Sequence, residues 1–170
     1  MTNPRKPLRL NVGFIVSQEV GYTHEFPFDY EKIQVADDLD LRHFRGAVHI
    51  GRTQQGLLVT AQFEAELDLE CARCLRPFEQ TVRWDMTEVY AFSKKSETDS
   101  ELILPESMQL DLAPLVRDDA LLQVPIGPIC QPDCKGLCPV CGQNLNLKDC
   151  GHRADEGDSP FSVLKDLLKN

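Results

Sequence analysis

A chain of 170 residues is long enough for one core of ordinary size with a small appended module, and its 42% apolar content belongs to a globular rather than a disordered protein. The formal net charge of −9 excludes a generic nucleic-acid binder, because phosphate contact needs clustered Lys and Arg. A local basic patch, or docking onto something basic, stays compatible with it.

The opening "MTNPRKPLRLNVGF" carries charges but no apolar run of the signal-sequence kind, and no stretch approaches the length of a membrane span. The chain is therefore expected in the cytoplasm, with no membrane partner. Thiols are kept reduced there, so cysteine clusters read as metal ligands or reactive thiols rather than as disulfides.

In chain order, "RLNVGFIV" and "HEFPFDY" are expected as edge strands. "FRGAVHI" places Phe44, Val48 and Ile50 on one side, and "TQQG" at Thr53 to Gly56 reads as a turn. In "LLVTAQFEAELDLE" the odd positions Leu57, Val59, Ala61, Phe63, Ala65, Leu67 and Leu69 are apolar, while Thr60, Gln62, Glu64, Glu66, Asp68 and Glu70 are polar. That is a half-buried strand with one wet, acidic face. "FEQTVRWDMTEVYAF" alternates as well, with Phe78, Val82, Trp84, Met86, Tyr90 and Phe92 together. Three consecutive strands make an antiparallel meander. "SKKSETDSEL" is polar and reads as a mobile loop. A helix is expected near 111–124, with Asp111 as N-cap, Pro125 as stop, and Leu112, Leu115, Val116 and Leu122 on its inward stripe. "SPFSVLKDLLKN" ends the chain as a short helix, with Ser159 as cap and Pro160 at its first position.

The expected fold class is α+β: an antiparallel β meander or barrel-like sheet, one or two short helices, and a C-terminal zinc-binding module. Residues 1–125 would form the β domain with its C-x-x-C knuckle, and residues 126–170 the cysteine cluster and last helix.

The chemistry-bearing residues are the seven cysteines and one histidine. "CARC" (Cys71, Cys74) sits in the tight connection of two long strands, and "CQPDCKGLCPVCGQNLNLKDCGH" brings Cys130, Cys134, Cys138, Cys141, Cys150 and His152. Two thiolates in C-x-x-C can reach one ion, and in "CPVCG" Pro139 stiffens the turn while Gly142 permits a positive φ. Seven cysteines are an awkward number for disulfides; adding His152 gives eight ligands, enough for two closed tetrahedral zinc sites. Iron–sulfur binding fits less well, because a histidine and paired knuckles favour zinc. The preferred partition is Cys71, Cys74, Cys130 and Cys134 in one site, with Cys138, Cys141, Cys150 and His152 in the other. The alternative joins the two C-x-x-C knuckles and leaves Cys130, Cys134, Cys150 and His152 together. His24, His43 and His49 read as ordinary surface or sheet residues. There is no Gly-rich phosphate loop, H-E-x-x-H, G-x-S-x-G or convergent acid pair, so the chain reads as non-catalytic, with no small-molecule substrate.

"LDLECARCLRPFEQTV" and "DLAPLVRDDALLQVPIGPICQPDCKGLCPVCGQNLN" resemble the YceD family, bacterial and plastid proteins associated with accumulation of the large-subunit ribosomal RNA. The resemblance runs from the meander to "PFSVLKDLL"; His152 stands where a cysteine is common, a swap zinc tolerates. It implies a role in ribosome biogenesis, in support of 23S rRNA and the large ribosomal subunit. The partner would be a large-subunit precursor, met through rRNA or a basic ribosomal protein. A zinc-thiolate redox sensor or chaperone is the alternative, and an RNA-processing enzyme finds no support. For docking, the acidic row Glu64, Glu66, Asp68 and Glu70 suits a basic protein, while Arg73, Arg76, Lys135, Lys148 and Arg153 suit RNA.

Overall fold

The computed structural model describes residues 7–93 and 102–152. Its chain falls into two compact units: one takes the chain up to Leu69 and Glu79–Ile126, the other takes Glu70–Phe78 and the chain from Gly127. The loop expected around 94–101 and the helix expected near the C-terminus lie outside the described residues.

The first unit is built on four long strands, β2 (Thr23–Ala36), β3 (Leu39–Arg52), β4 (Gly56–Glu70) and β5 (Pro77–Ala91), in the order β2-β3-β4-β5. β2 pairs antiparallel with β3, and β3 with β4. The meander thus has four strands rather than three, and it is an open sheet: β2 and β5 are its two ends, so the barrel-like closure expected from the sequence does not form among the described residues. The "TQQG" turn is as expected; the Thr53 hydroxyl accepts the Gly56 N–H at 3.1 Å and donates to the Gly56 carbonyl at 2.9 Å. No helix of the described residues is long and apolar enough to cross a membrane.

β4 buries Leu57, Val59, Ala61, Phe63, Ala65 and Leu67, and β5 buries Val82, Trp84, Met86 and Tyr90. β3 changes phase midway. Leu39 and Leu41 are buried at odd positions, then Phe44, Val48 and Ile50 at even ones. The switch is a bulge: the β3–β4 register shifts between Arg42 and Arg45, and His43 takes φ 47°. The extra residue reverses which parity faces the core.

One ring from each strand forms the centre of the core. Phe28, Phe44, Phe63 and Trp84 run across β2 to β5, with centroids 6.0 Å apart for Phe28–Phe44, 4.9 Å for Phe44–Phe63 and 5.5 Å for Phe63–Trp84. Gly46 stands opposite Phe28 on one side and Phe63 on the other. It has φ 154°, and a Cβ there would lie 2.1 Å from the Gln62 carbonyl and 2.7 Å from the Phe63 ring. Its missing side chain lets Phe28 and Phe63 meet at 5.9 Å over the strand between them.

The remaining elements bury their apolar residues in the same core. "RLNVGFIV" is not one edge strand of the main sheet. β1 (Arg9–Asn11) pairs with β6 (Gln109–Asp111) in a separate two-stranded sheet, and Gly13–Val16 is a short helix, α1. The Asn11 carboxamide accepts the Gly13 N–H at 3.0 Å and turns the chain, so the buried spacing passes from two (Leu8, Leu10, Val12) to three (Val12, Ile15). "HEFPFDY" does lie in an edge strand, as part of the longer β2.

The second helix, α2 (Ala113–Leu122), has Leu112 rather than Asp111 at its N-cap position; the Asp111 carboxylate still accepts the Ala113 N–H at 3.1 Å. Its buried stripe is Leu112, Val116 and Ala120, while Leu122 is 79% exposed. Six residues beyond Val116, Leu122 points about 120° away from it, so it cannot share that stripe. Arg117 forks onto the Asp38 carboxylate, Nε at 2.9 Å and Nη2 at 2.5 Å, and this hydrogen bonding holds Asp38 below the usual carboxylate range.

On the outer face Glu64, Glu66 and Asp68 of the β4 acidic row meet side chains of neighbouring strands. Glu64 pairs with Arg83 at 2.5 Å, Glu66 with His43 at 3.8 Å and Asp68 with Arg42 at 2.9 Å, and Arg42 also reaches Glu79. Such exposed pairs contribute about 0.2–1 kcal/mol each, so they add little to the stability of the sheet.

Gly46→Ala should destabilise the first unit by about 2–4 kcal/mol, through strain at φ 154° and collision with Gln62 and Phe63. Urea unfolding followed by Trp84 fluorescence measures this; an unchanged midpoint would show that the rings do not need the gap.

Candidate metal centre

β4 ends at Glu70, and the chain reverses at once. The Cys71 N–H bonds the Arg76 carbonyl at 3.0 Å, the Leu75 N–H bonds the Cys71 carbonyl at 2.9 Å, and Leu75 takes φ 56° to complete the knuckle. The tail seats against it. The Ala72 N–H bonds Pro128 O at 2.8 Å, Leu137 N–H bonds Arg73 O at 3.0 Å, and the Arg73 guanidinium bonds Cys134 O at 3.0 Å. Gly136 passes so close, at φ 75°, that a Cβ would lie 3.1 Å from Arg73 O.

These contacts place four sulfurs together. Cys71 Sγ lies 3.8 Å from Cys134 Sγ and Cys74 Sγ lies 3.7 Å from Cys130 Sγ, with all four within 4.8 Å of one another. Four thiolates at about 2.3 Å from a central ion are about 3.8 Å apart at tetrahedral angles, so the spacing fits a zinc-sized ion. All seven cysteines are free thiols.

The second group closes locally. In "CPVCG" the Cys138 N–H bonds Gln143 O at 2.8 Å, the Gly142 N–H bonds Cys138 O at 2.9 Å, and Gly142 has φ 72°. Gly151, at φ 74°, donates its N–H to the Asp149 carboxylate at 2.8 Å and turns "CGH" back toward the knuckle. The His152 Nδ1 then lies 3.9 Å from Cys138 Sγ, and Cys138, Cys141, Cys150 and His152 offer ligand atoms within 4.8 Å of one another. The structure thus brings together the eight residues singled out in the sequence, in the preferred grouping and not the alternative one. His24, His43 and His49 join neither group.

Backbone N–H groups aim at the sulfurs. Burial opposes ionisation of Cys71, yet N–H groups of Cys130, Cys74 and Arg73 outweigh it and bring the thiol down to about 6. Cys138 is likewise lowered to about 6, chiefly by the N–H groups of Cys141 and Val140. Burial and the three neighbouring sulfurs push Cys130 up to about 11. Four clustered thiols cannot all ionise without a cation among them, and a divalent ion supplies that compensation.

Two residues with no role assigned from the sequence complete the first group. The Asn146 carboxamide donates to Cys134 Sγ at 3.3 Å and to the Asn144 carboxamide oxygen at 2.9 Å, and accepts the Lys135 N–H at 2.8 Å. Asn144 also receives the Asn146 N–H at 2.9 Å, which fixes the pair. Burial works against the Cys134 thiolate, and the Asn146 amide with the Gly136 N–H more than offsets it. The signal for this was present in "GQNLN", whose alternate asparagines follow a knuckle directly.

A family model described as "Large ribosomal RNA subunit accumulation protein YceD" matches residues 59–168. An uncharacterized protein of Mycobacterium tuberculosis is 36% identical over 137 residues, covering 77% of this chain and 61% of the relative. The chain thus spans about three fifths of the length of that relative. The large ribosomal RNA subunit accumulation protein YceD of Haemophilus influenzae is 25% identical over 123 residues, covering 67% of each chain. A chloroplastic YCED homolog of Arabidopsis thaliana is 37% identical over 68 residues, 38% of this chain and 21% of its own. No solved structure matches.

Asn146→Ala removes the amide donor to Cys134 while leaving all eight ligand side chains in place. Metal affinity of the first group should fall about 10–100-fold, with the second group unaffected. Competition with a graded series of chelators measures both; equal affinities in wild type and variant would remove Asn146 from the metal's support.

Proposed function

Because the chain belongs to the YceD family, we propose that it is a non-catalytic, zinc-stabilised factor of the cytoplasm that supports 23S rRNA accumulation during assembly of the large ribosomal subunit. The observation that carries the zinc reading is the grouping of eight ligand atoms into two four-donor sets. Cys71, Cys74, Cys130 and Cys134 would hold one ion, and Cys138, Cys141, Cys150 and His152 the other. Thiolate-rich sets of four suit zinc, and with four protein ligands each they leave no position for water or substrate. The ions would therefore be structural. The role in rRNA accumulation rests on the family and on the names of the relatives from Haemophilus and Arabidopsis.

Charge distribution favours RNA over a basic protein as the partner. In the first unit, described residues carry seven basic against seventeen acidic side chains; in the second, four basic against three acidic. Those four, Arg73, Arg76, Lys135 and Lys148, are all exposed, and none has an acidic partner among the described residues. The acidic row of β4, in contrast, is already engaged by Arg83, His43 and Arg42. Backbone bonds from Leu137 to Arg73 and from Lys135 to Asn146 hold the segments bearing these cations together.

Elemental analysis of freshly purified, reduced protein should find two zinc ions per chain, and one in a Cys71→Ser/Cys74→Ser double variant. One or none in the wild type would sink the two-site reading. Four phosphate contacts imply a slope of about −3 in log affinity against log salt. Changing Arg76, Lys135 and Lys148 to Gln, with Arg73 kept because its guanidinium bonds Cys134 O, should reduce that slope to about −1 and weaken association with large-subunit precursors on gradients, with zinc content unchanged. Unaltered co-sedimentation would place the partner surface elsewhere; release caused instead by reversing Glu64, Glu66 and Asp68 to Lys would favour a basic protein docked on the sheet.

A further inference from the structure

The two cysteine groups differ in what surrounds them. In the first, Cys71, Cys74 and Cys134 are buried, Asn146 covers Cys134, and Gly136 is pressed against Arg73. In the second, Cys141 and His152 are exposed and Cys150 is half-buried; only Cys138 lies beneath the surface. Val140, beside Cys141, is 64% exposed. A Cβ built on Gly142 or Gly151 meets nothing within 4 Å, so the turns flanking this group face open space.

We infer that the Cys138, Cys141, Cys150 and His152 group is a peroxide-reactive zinc–thiolate site, modified first at Cys141, while the Cys71, Cys74, Cys130 and Cys134 group stays closed to the same reagent. The inference rests on the reading of both groups as zinc sites. Thiolate reactivity toward small oxidants follows access, and Cys141 is the exposed cysteine of the set. A peroxide oxygen is transferred to the Cys141 sulfur: the S–O bond forms, the O–O bond breaks and hydroxide leaves. The thiolate of Cys138 or Cys150, each within 4.8 Å, then attacks that sulfur; the S–S bond forms, the S–O bond breaks and a second hydroxide leaves. Two thiolates have given up two electrons to one peroxide. Two of the four ligands are lost to the disulfide, and the ion departs. The first group keeps its own ion, and Asn146 stays bonded to Cys134 and Lys135, so only the second group's own turns around Cys138–Cys141 and Cys150–His152 come loose.

The test treats the full-length, reduced protein with hydrogen peroxide in the presence of a chelating dye, with zinc counted by native mass spectrometry and disulfides mapped by differential alkylation. The expected result is a starting count of two, fast release of one zinc per chain, a first disulfide containing Cys141, and Cys71, Cys74 and Cys134 still recovered as thiols. Cys141→His keeps four ligands but removes the exposed thiol, and should slow that release on the order of ten-fold. A starting count below two overturns the zinc reading and this inference with it. A count of two followed by release of both ions at one rate, or by a first disulfide within the Cys71 group, overturns this inference alone.

Discussion

Among the described residues, the second unit has almost nothing but sulfur at its centre. Its buried cluster consists of Cys71, Cys74 and Cys134, with Phe78, Ile129, Cys130 and Leu137 packed partly against it. So little apolar surface cannot offset the conformational entropy of ordering the chain around it. Small domains of this kind are commonly held by cross-links or ions, and two sets of four ligand atoms are what ions would need. Every hydrogen bond between knuckle and tail described above sits within a few residues of a sulfur. The unit's shape follows from where the sulfurs must go.

The sheet unit obeys the opposite economy. It is held by area: a continuous apolar face on four strands, an aromatic chain across them, and β1, α1, β6 and α2 burying their own apolar residues in the same core. On its outer face Arg42, Arg45 and Arg83 each pair with a carboxylate of a neighbouring strand. With seven basic against seventeen acidic described side chains, this unit keeps a negative field despite those pairs. The small sulfur-centred unit keeps its cations without acidic partners among the described residues. Net charge read over the whole chain therefore describes the sheet unit and conceals the cations of the smaller one.

The parts legible in the sequence were those where one pattern holds without interruption. β4 and most of β5 alternate in a single phase, and both were readable to the residue. β3 could be read only from Phe44 onward, because its bulge at His43 reverses the parity and hides Leu39 and Leu41. β2 changes parity as well, from Phe26 and Phe28 to Ile33 and Val35, so only its first half looked like a strand. The turn at Asn11 split an apparent strand into β1 and α1 through one side-chain hydrogen bond, which no periodicity records. For the cysteine groups, spacing indicated which residues matter and geometry favoured one partition. Asn144 and Asn146 escaped because their role exists only once Cys134 and Asn146, twelve positions apart, face each other.

The first cysteine group also imposes an order in time. Cys74 and Cys130 are 56 residues apart, and at about 5–20 residues per second a translating ribosome takes roughly 3–11 seconds to cover that gap. Throughout that interval "CARC" exists as an open dithiol, while β4 and β5 on either side can already zip together. The Cys138 to His152 group, spread over 14 positions, is complete within about 1–3 seconds of its first member. A nascent chain paused or truncated before Cys130 would thus carry Cys71 and Cys74 without the two thiols that complete their group.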